Sequence, residues 1–117
     1  MNFPTLETKR LLLNELCIED TDSIYEIFSN EEVLKYYDLV SFKEINQAET
    51  LIKLFMSRFK KSHGIRWAIR VKDDNKCIGT CGFNSWSGPM RSATIGYDMN
   101  KKYWGQGIIT EALNAVI

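Results

Sequence analysis

The spacing of apolar residues changes several times along this chain, and each change marks a new element. Between Arg10 and Cys17, Leu11, Leu13 and Glu15 alternate against Leu12 and Leu16, which predicts a first strand. Glu19-Asp20-Thr21-Asp22 supplies capping and acidic residues for a helix start, and Ile24, Ile27 and Phe28 then share one helical face. Ser41-Phe42-Lys43-Glu44 reads as a capping box: the serine hydroxyl can accept from the amide three residues on, and the glutamate can reach back. Behind it Ala48, Leu51, Ile52, Phe55 and Phe59 hold helical spacing, with Lys53, Arg58 and Lys60 off that face.

The period then switches to two. Ile65, Trp67, Ile69 and Val71 alternate with Arg66, Ala68, Arg70 and Lys72, a strand ended by the turn residues Asp73-Asp74-Asn75. Lys76 to Trp86 predicts a second strand, in which Gly79 and Gly82 mark a bulge or a close approach. After Ser87-Gly88-Pro89, Ser92 to Met99 predicts a third, with Ala93, Ile95, Tyr97 and Met99 on one side. Short turns between these strands imply an antiparallel meander. Ile108, Ile109, Ala112, Leu113 and Val116 close the chain at helical spacing. The order is strand, two helices, three strands, helix: an α+β layout rather than alternating βαβ.

At 117 residues this is one domain. With 44% hydrophobic and 26% charged residues it can build a core, which argues against disorder. Lys plus Arg equals Asp plus Glu at 15 each, so there is no electrostatic footprint for nucleic acid. Cys17, Cys77 and Cys81 are odd in number and lack a CxxC, which fits reduced thiols rather than a disulfide framework or, with His63 as the sole histidine, a zinc site. No stretch reads as a signal peptide or a membrane span, so the expectation is a cytoplasmic protein with no membrane partner.

The chemistry-bearing segment is Tyr103-Trp104-Gly105-Gln106-Gly107-Ile108, between a strand and a helix. Glycines let a backbone approach an anion, and a helix N-terminus aims free N–H groups and a positive dipole at it. Lys101 and Lys102 add charge just before it. The segment lacks the G-K-[ST] ending of a P-loop, and Thr110 stands where a dinucleotide fingerprint wants a third glycine or alanine. Gly-x-Gly alone is also compatible with a plain strand-to-helix turn.

The surroundings narrow this. Glu7-Thr8-Lys9-Arg10-Leu11-Leu12-Leu13, Asn30-Glu31-Glu32-Val33-Leu34-Lys35-Tyr36, Ile78-Gly79-Thr80-Cys81-Gly82-Phe83 and Ala93-Thr94-Ile95-Gly96-Tyr97 precede Tyr103-Trp104-Gly105-Gln106-Gly107-Ile108-Ile109-Thr110-Glu111-Ala112-Leu113. In that order they resemble the RimJ/RimL-like branch of the GNAT superfamily of N-acetyltransferases, over nearly the whole chain. The resemblance implies the GNAT fold, a mixed, mostly antiparallel sheet with flanking helices, and acetyl-CoA as co-substrate. It implies acetyl transfer to a primary amine: a protein N-terminus, a polyamine or another small amine. By position the family's fourth strand is Ser92 to Met99, with a bulge expected at Asp98, Met99 and Asn100. The implied cofactor contacts are Met99, Asn100, Lys102, Trp104, Gly105, Gln106, Gly107 and Ile108. Lys102 stands where the family usually has arginine or glutamine, keeping charge without the planar fork.

The catalytic groups do not carry over. The family's early fourth-strand glutamate matches Thr94, whose hydroxyl is no general base near neutral pH, and its tyrosine acid would lie beyond Ile117. Asp98 is the carboxylate nearest the expected thioester, with a solvated strand-end aspartate as the plainer reading. Glu111 reads as a dipole-favoured helix acid, Trp67, Trp86 and Phe83 as core or cleft wall, Tyr36 and Tyr37 as packing or an acceptor-side wall, Cys81 as an inert core thiol, and His63 beside Gly64 as a helix cap.

The family fold continues with another strand, a helix and a hairpin, so residues 1–117 are expected to be a single domain incomplete at its C-terminal end, with those strands missing. Ser92 to Met99 would then be an open edge, inviting homo-oligomers or low stability. Two further readings stay open: a non-catalytic acyl-CoA-binding module or inactive fragment, and a structural domain in which Gly105-Gln106-Gly107 is only a turn.

Overall fold

The computed structural model describes residues 3–30, 42–61, 64–72, 74, 76–87 and 92–116, and of 84–87 and 92–95 the backbone only. The expectations for Tyr36, Tyr37, Ser41, His63, Asp73, Asn75, Gly88 and Pro89 therefore lie outside the described residues, as do those for the side chains of Trp86 and Thr94.

The sheet has five strands in sequential order: β1 (Leu6–Glu7), β2 (Leu11–Glu15), β3 (Ile65–Val71), β4 (Cys77–Ser87) and β5 (Ser92–Met99). Every described neighbour pair is antiparallel, as the expected meander requires. The two-residue β1 is too short to carry a period, and the sequence did not predict it. Helices α1 (Thr21–Phe28) and α2 (Ile45–Lys60) lie between β2 and β3, and α3 (Ile108–Val116) follows β5. A short 3-10 turn at Ile18–Asp20 leads into α1, and another at Lys101–Tyr103 leads out of β5.

α2 opens three residues later than the Ser41 box predicts, because Gln47 supplies the reciprocal acceptor. Its Oε1 accepts from the Lys43 and Glu44 amides at 2.7 and 3.0 Å. Ala48 and Ile52 are its buried stripe, with Leu51 and Phe55 packed beside them.

The sheet is sandwiched. On one face α1 and α2 pack Ile24, Ile27, Phe28, Ala48 and Ile52 over Ala68 and Cys77. On the other, Ile108 and Ala112 of α3 cover Leu11, Leu13, Trp67, Ile69, Ile78, Cys81 and Met99. Trp67 is core, its indole donating to the Pro4 carbonyl at 2.8 Å. Being central and covered on both sides, β3 buries both its faces. Arg66 and Arg70, the polar half of its alternation, are therefore only 8% and 5% exposed.

Two buried ion pairs follow from that. Arg70 donates to both oxygens of Asp20 at 2.7 and 2.8 Å and to Asn14 at 2.7 Å. Arg66 donates to Asp98 at 2.9 Å and to the Thr80 hydroxyl at 2.9 Å, and lies over the Phe55 ring. Asp20 takes its place at the N-terminus of α1, where its carboxylate also accepts from the Cys17 amide.

The β4–β5 pairing corrects the expected bulge. It runs regularly from Gly79↔Met99 to Phe83↔Ile95, and the register shifts between Phe83 and Ser85, placing the extra residue on β4. Asp98, Met99 and Asn100 are not bulged. Gly79 sits beside a register shift of β4 against β3, where Ile78 is the extra residue, and also provides close approach: a Cβ there would lie 2.4 Å from the Asp98 carbonyl oxygen. Among the described residues no helix is long and apolar enough to cross a membrane.

Candidate functional site

The bend between the Lys101–Tyr103 turn and α3 is built by its two glycines. Gly105 and Gly107 have φ of 78° and 73°, a left-handed backbone that other residues adopt at a cost of about 1–3 kcal/mol. The Glu111 amide donates to the Gly107 carbonyl at 3.1 Å and closes the first turn of α3. The amides of Gly105, Gln106, Gly107 and Ile108 donate to no group among the described residues. Gly105, Gln106 and Gly107 are exposed, while the Ile108 side chain is buried beneath them. Open main-chain donors at the positive end of a helix are an arrangement able to bind an anion.

The first turn of α3 is anchored from the other end of the chain, and through Arg10 so is the bend. Glu111, on the first turn of α3, accepts from the Thr8 hydroxyl, from the Arg10 amide at 3.0 Å and from Arg10 Nε at 2.8 Å. Arg10 Nη1 donates to the Gln106 carbonyl at 3.1 Å. These bonds, Thr8 first, pull the Glu111 carboxyl down to about 2. Sequence reasoning left Glu111 as a dipole acid and gave Arg10 no role, because their sequence separation hides the pairing.

Among the described residues no strand pairs with the outer side of β5, the strand leading into the bend. The Asn100 amide donates to the Ile78 carbonyl at 2.7 Å, which sets the phase of the ladder. Main-chain groups of Asp98 and Gly96 thus face β4, and those of Met99, Tyr97 and Ile95 face away from it. The Met99 carbonyl is already taken by the Trp104 indole N–H at 2.9 Å. Among the described residues that leaves the main-chain groups of Ile95 and Tyr97 and the Met99 amide along the edge, beside the exposed Tyr97 and Trp104 rings.

The expected contacts therefore divide. Among the described residues the amides of Gly105, Gln106, Gly107 and Ile108 are open at the bend, the Met99 amide faces away from β4 on the strand that leads into it, and the Trp104 ring is exposed. Asn100 does not join them: it is buried, its Oδ1 accepts from the Lys102 amide at 3.0 Å, and its side chain hydrogen-bonds Glu26. Asn100 shapes the turn. Lys102 extends toward α1, its Nζ 3.6 Å from Glu26, which also pairs with Lys76.

Asp98 is not a solvated strand-end aspartate. Its residue is 3% exposed, and it accepts from Arg66, from the Thr80 hydroxyl at 2.6 Å and from the Thr80 amide at 3.1 Å. Burial pushes its carboxyl up, against the pull of Arg66 and Thr80. Its side chain points to the α2 face, and its oxygens are committed. Asp20 ends on the other side of the balance: burial alone would raise it, but the Arg70 bonds and the Cys17 amide hold it below the usual range. A sequence signal for both pairs exists in β3, where two arginines alternate with Trp67 and Ile69 on a strand that must be covered on both faces.

Burial raises the thiols of Cys77 and Cys81 to about 12, and Cys17, desolvated beside Glu19 and Asp20, to about 11. Cys81 is fully buried in the α3-side core. None of the three is a nucleophile near neutral pH.

The model of the acetyltransferase (GNAT) domain family matches residues 10–117. The chain belongs to the GNAT acetyltransferase-domain family. It is 37% identical over 115 residues to the "Uncharacterized N-acetyltransferase YoaA" of Bacillus subtilis, an alignment covering 98% of this chain and 65% of YoaA. Its fold is similar to that of a GNAT-family acetyltransferase from Bacillus anthracis, with a TM-score of 0.81 at 21% identity, covering 96% of this chain and 63% of that one. It is also similar to RimL, a ribosomal L7/L12 alpha-N-protein acetyltransferase solved with coenzyme A, with a TM-score of 0.80 at 16% identity over 96% of this chain and 64% of RimL. The chain thus spans a little under two thirds of the length of these GNAT proteins.

Proposed function

We propose that this protein transfers an acetyl group from acetyl-CoA to a primary amine. The observation that carries the reading is the set of unpaired amides from Gly105 to Ile108, held outward at the N-terminus of α3 in a GNAT domain. A diphosphate is the part of coenzyme A that such a receptor fits. The free Tyr97 and Met99 groups on the β5 edge offer an extended arm the pairing that a further strand would use.

Acetyl-CoA supplies a thioester whose carbonyl carbon is open to attack by a neutral amine. The chain's part is to orient that carbonyl and to place main-chain donors toward the oxygen as it gains charge. No described carboxylate on this edge is free to take the amine proton: Asp98 is locked by Arg66 and Thr80. The amine proton leaves through water, or through groups beyond those described, as the C–N bond forms and the C–S bond breaks; coenzyme A departs as thiolate and takes a proton from water to become the free thiol.

The acceptor class is a protein N-terminus, a polyamine or another small amine, and the ribosomal-protein N-terminus named for RimL belongs in the panel. The commitment of Asp98 also favours a second reading, an acyl-CoA-binding module without turnover. A thiol-release assay with acetyl-CoA and an amine panel separates the two. Acceptor-dependent release supports transfer. Saturable acetyl-CoA binding with no release over the panel supports the module. Absence of binding removes both.

A further inference from the structure

The geometry points to Arg10 as a positioning residue that locks the peptide plane between Gln106 and Gly107, so that the Gly107 amide faces the coenzyme's diphosphate. This rests on the acetyl-CoA reading above and adds to it a residue from the opposite end of the chain.

A carbonyl and the following N–H belong to one planar peptide unit and point in opposite directions. Whatever holds the Gln106 carbonyl therefore aims the Gly107 amide. Arg10 Nη1 holds it, at 3.1 Å. A lock is needed here because Gly107 is a glycine with a positive φ, and Gly105 is another. Glycine backbones reach both signs of φ readily, so the unit between them can flip. A flipped unit would aim a carbonyl oxygen, a partial negative charge, at the anion.

Arg10 is itself held. Its Nε and its amide both donate to Glu111, and its carbonyl accepts from the Lys72 amide at 3.0 Å, just past the end of β3. The guanidinium thus bridges a rigid sheet, the first turn of α3 and the bend. Its Nη2 lies 3.8 Å from where a Cβ of Gly107 would stand, so the positive charge also borders the receptor. Lysine keeps the charge but has no planar fork to span Glu111 and Gln106 together. Thr8 is a natural control, because its hydroxyl bonds Glu111 without touching the bend.

The test titrates the full chain with coenzyme A and, separately, with pantetheine, which lacks the diphosphate, and records unliganded melting beside each. Arg10→Ala is expected to weaken coenzyme A by about tenfold or more, the effect of losing a charge-assisted hydrogen bond, while pantetheine stays within about twofold. Arg10→Lys is expected to recover only part of the loss. Thr8→Val is expected to lower the melting temperature and leave coenzyme A affinity within about twofold. Coenzyme A binding unchanged in Arg10→Ala, equal weakening of both ligands, or an equal loss in Thr8→Val overturns the role of Arg10. Failure of the unaltered chain to bind coenzyme A overturns the acetyl-CoA reading itself.

Discussion

Replacing Asp98 by asparagine changes almost no volume and removes one charge, which makes it a clean probe of the buried network beneath α2. The carboxylate is fully enclosed and faces the Arg66 guanidinium at 2.9 Å, whose own side chain is 8% exposed. Asparagine can still accept from Thr80, but it brings an N–H₂ into a cage of donors and leaves a cation without its counter-charge. Breaking one side of such a pair costs about 3–5 kcal/mol, because the surviving charge stays out of water. At about 4 °C per kcal/mol for a domain near this size, that is a fall in Tm of roughly 12–20 °C. The triple replacement Arg66→Met, Thr80→Val, Asp98→Leu removes charge, hydroxyl and carboxylate together and is expected to recover most of the loss. Urea unfolding followed by circular dichroism gives both numbers, with an unchanged m-value certifying that the same surface is exposed. Asp98→Asn unfolding within about 1 kcal/mol of the parent would show that the pair is not the buried, committed unit described above.

Gly105→Ala should cost about 1–2 kcal/mol through its φ of 78° alone, since no atom lies within 4 Å of the added methyl, and should weaken coenzyme A binding by moving the bend. Gly79→Ala should be worse, because its Cβ would meet the Asp98 carbonyl oxygen at 2.4 Å, and calorimetric melting ranks the two. The Glu111 carboxyl, lowered from 4.5 to about 2, gives stability that is complete above its unfolded value and is lost as pH falls toward 2, so Glu111→Gln should flatten the acid limb of a stability–pH profile. Cys77 and Cys81, raised to about 12 by burial, should react with a disulfide reagent at pH 8 only as fast as the chain opens, and urea should accelerate the reaction.

The parts legible in the sequence were those whose cause is local. Alternation in Ile65–Val71, helical spacing from Ala48 to Phe59 and the Gly-Gln-Gly bend each follow from a few neighbouring residues. What escaped is long-range. Thr8 and Arg10 meet Glu111 only because β1 and β2 lie against α3, and Arg66 meets Asp98 only because β3, β4 and β5 stand side by side. The open strand end suggested by position for Asp98 failed because α2 covers that face through Phe55. The misplaced bulge has the same origin: register depends on pairing between strands, and the extra residue fell on β4 rather than β5. Asn100 and Lys102 were assigned by position in the loop, and no local signal in the sequence places Glu26 of α1 beside them.

Backbone amide resonances report the central claim residue by residue. In a titration of the isotopically labelled chain with coenzyme A, Gly105, Gln106, Gly107 and Ile108 should shift furthest and downfield, as open N–H groups gain a charged acceptor, and Met99 and Tyr97 should follow. Saturable binding that leaves those four amides in place would put the diphosphate elsewhere and contradict the account.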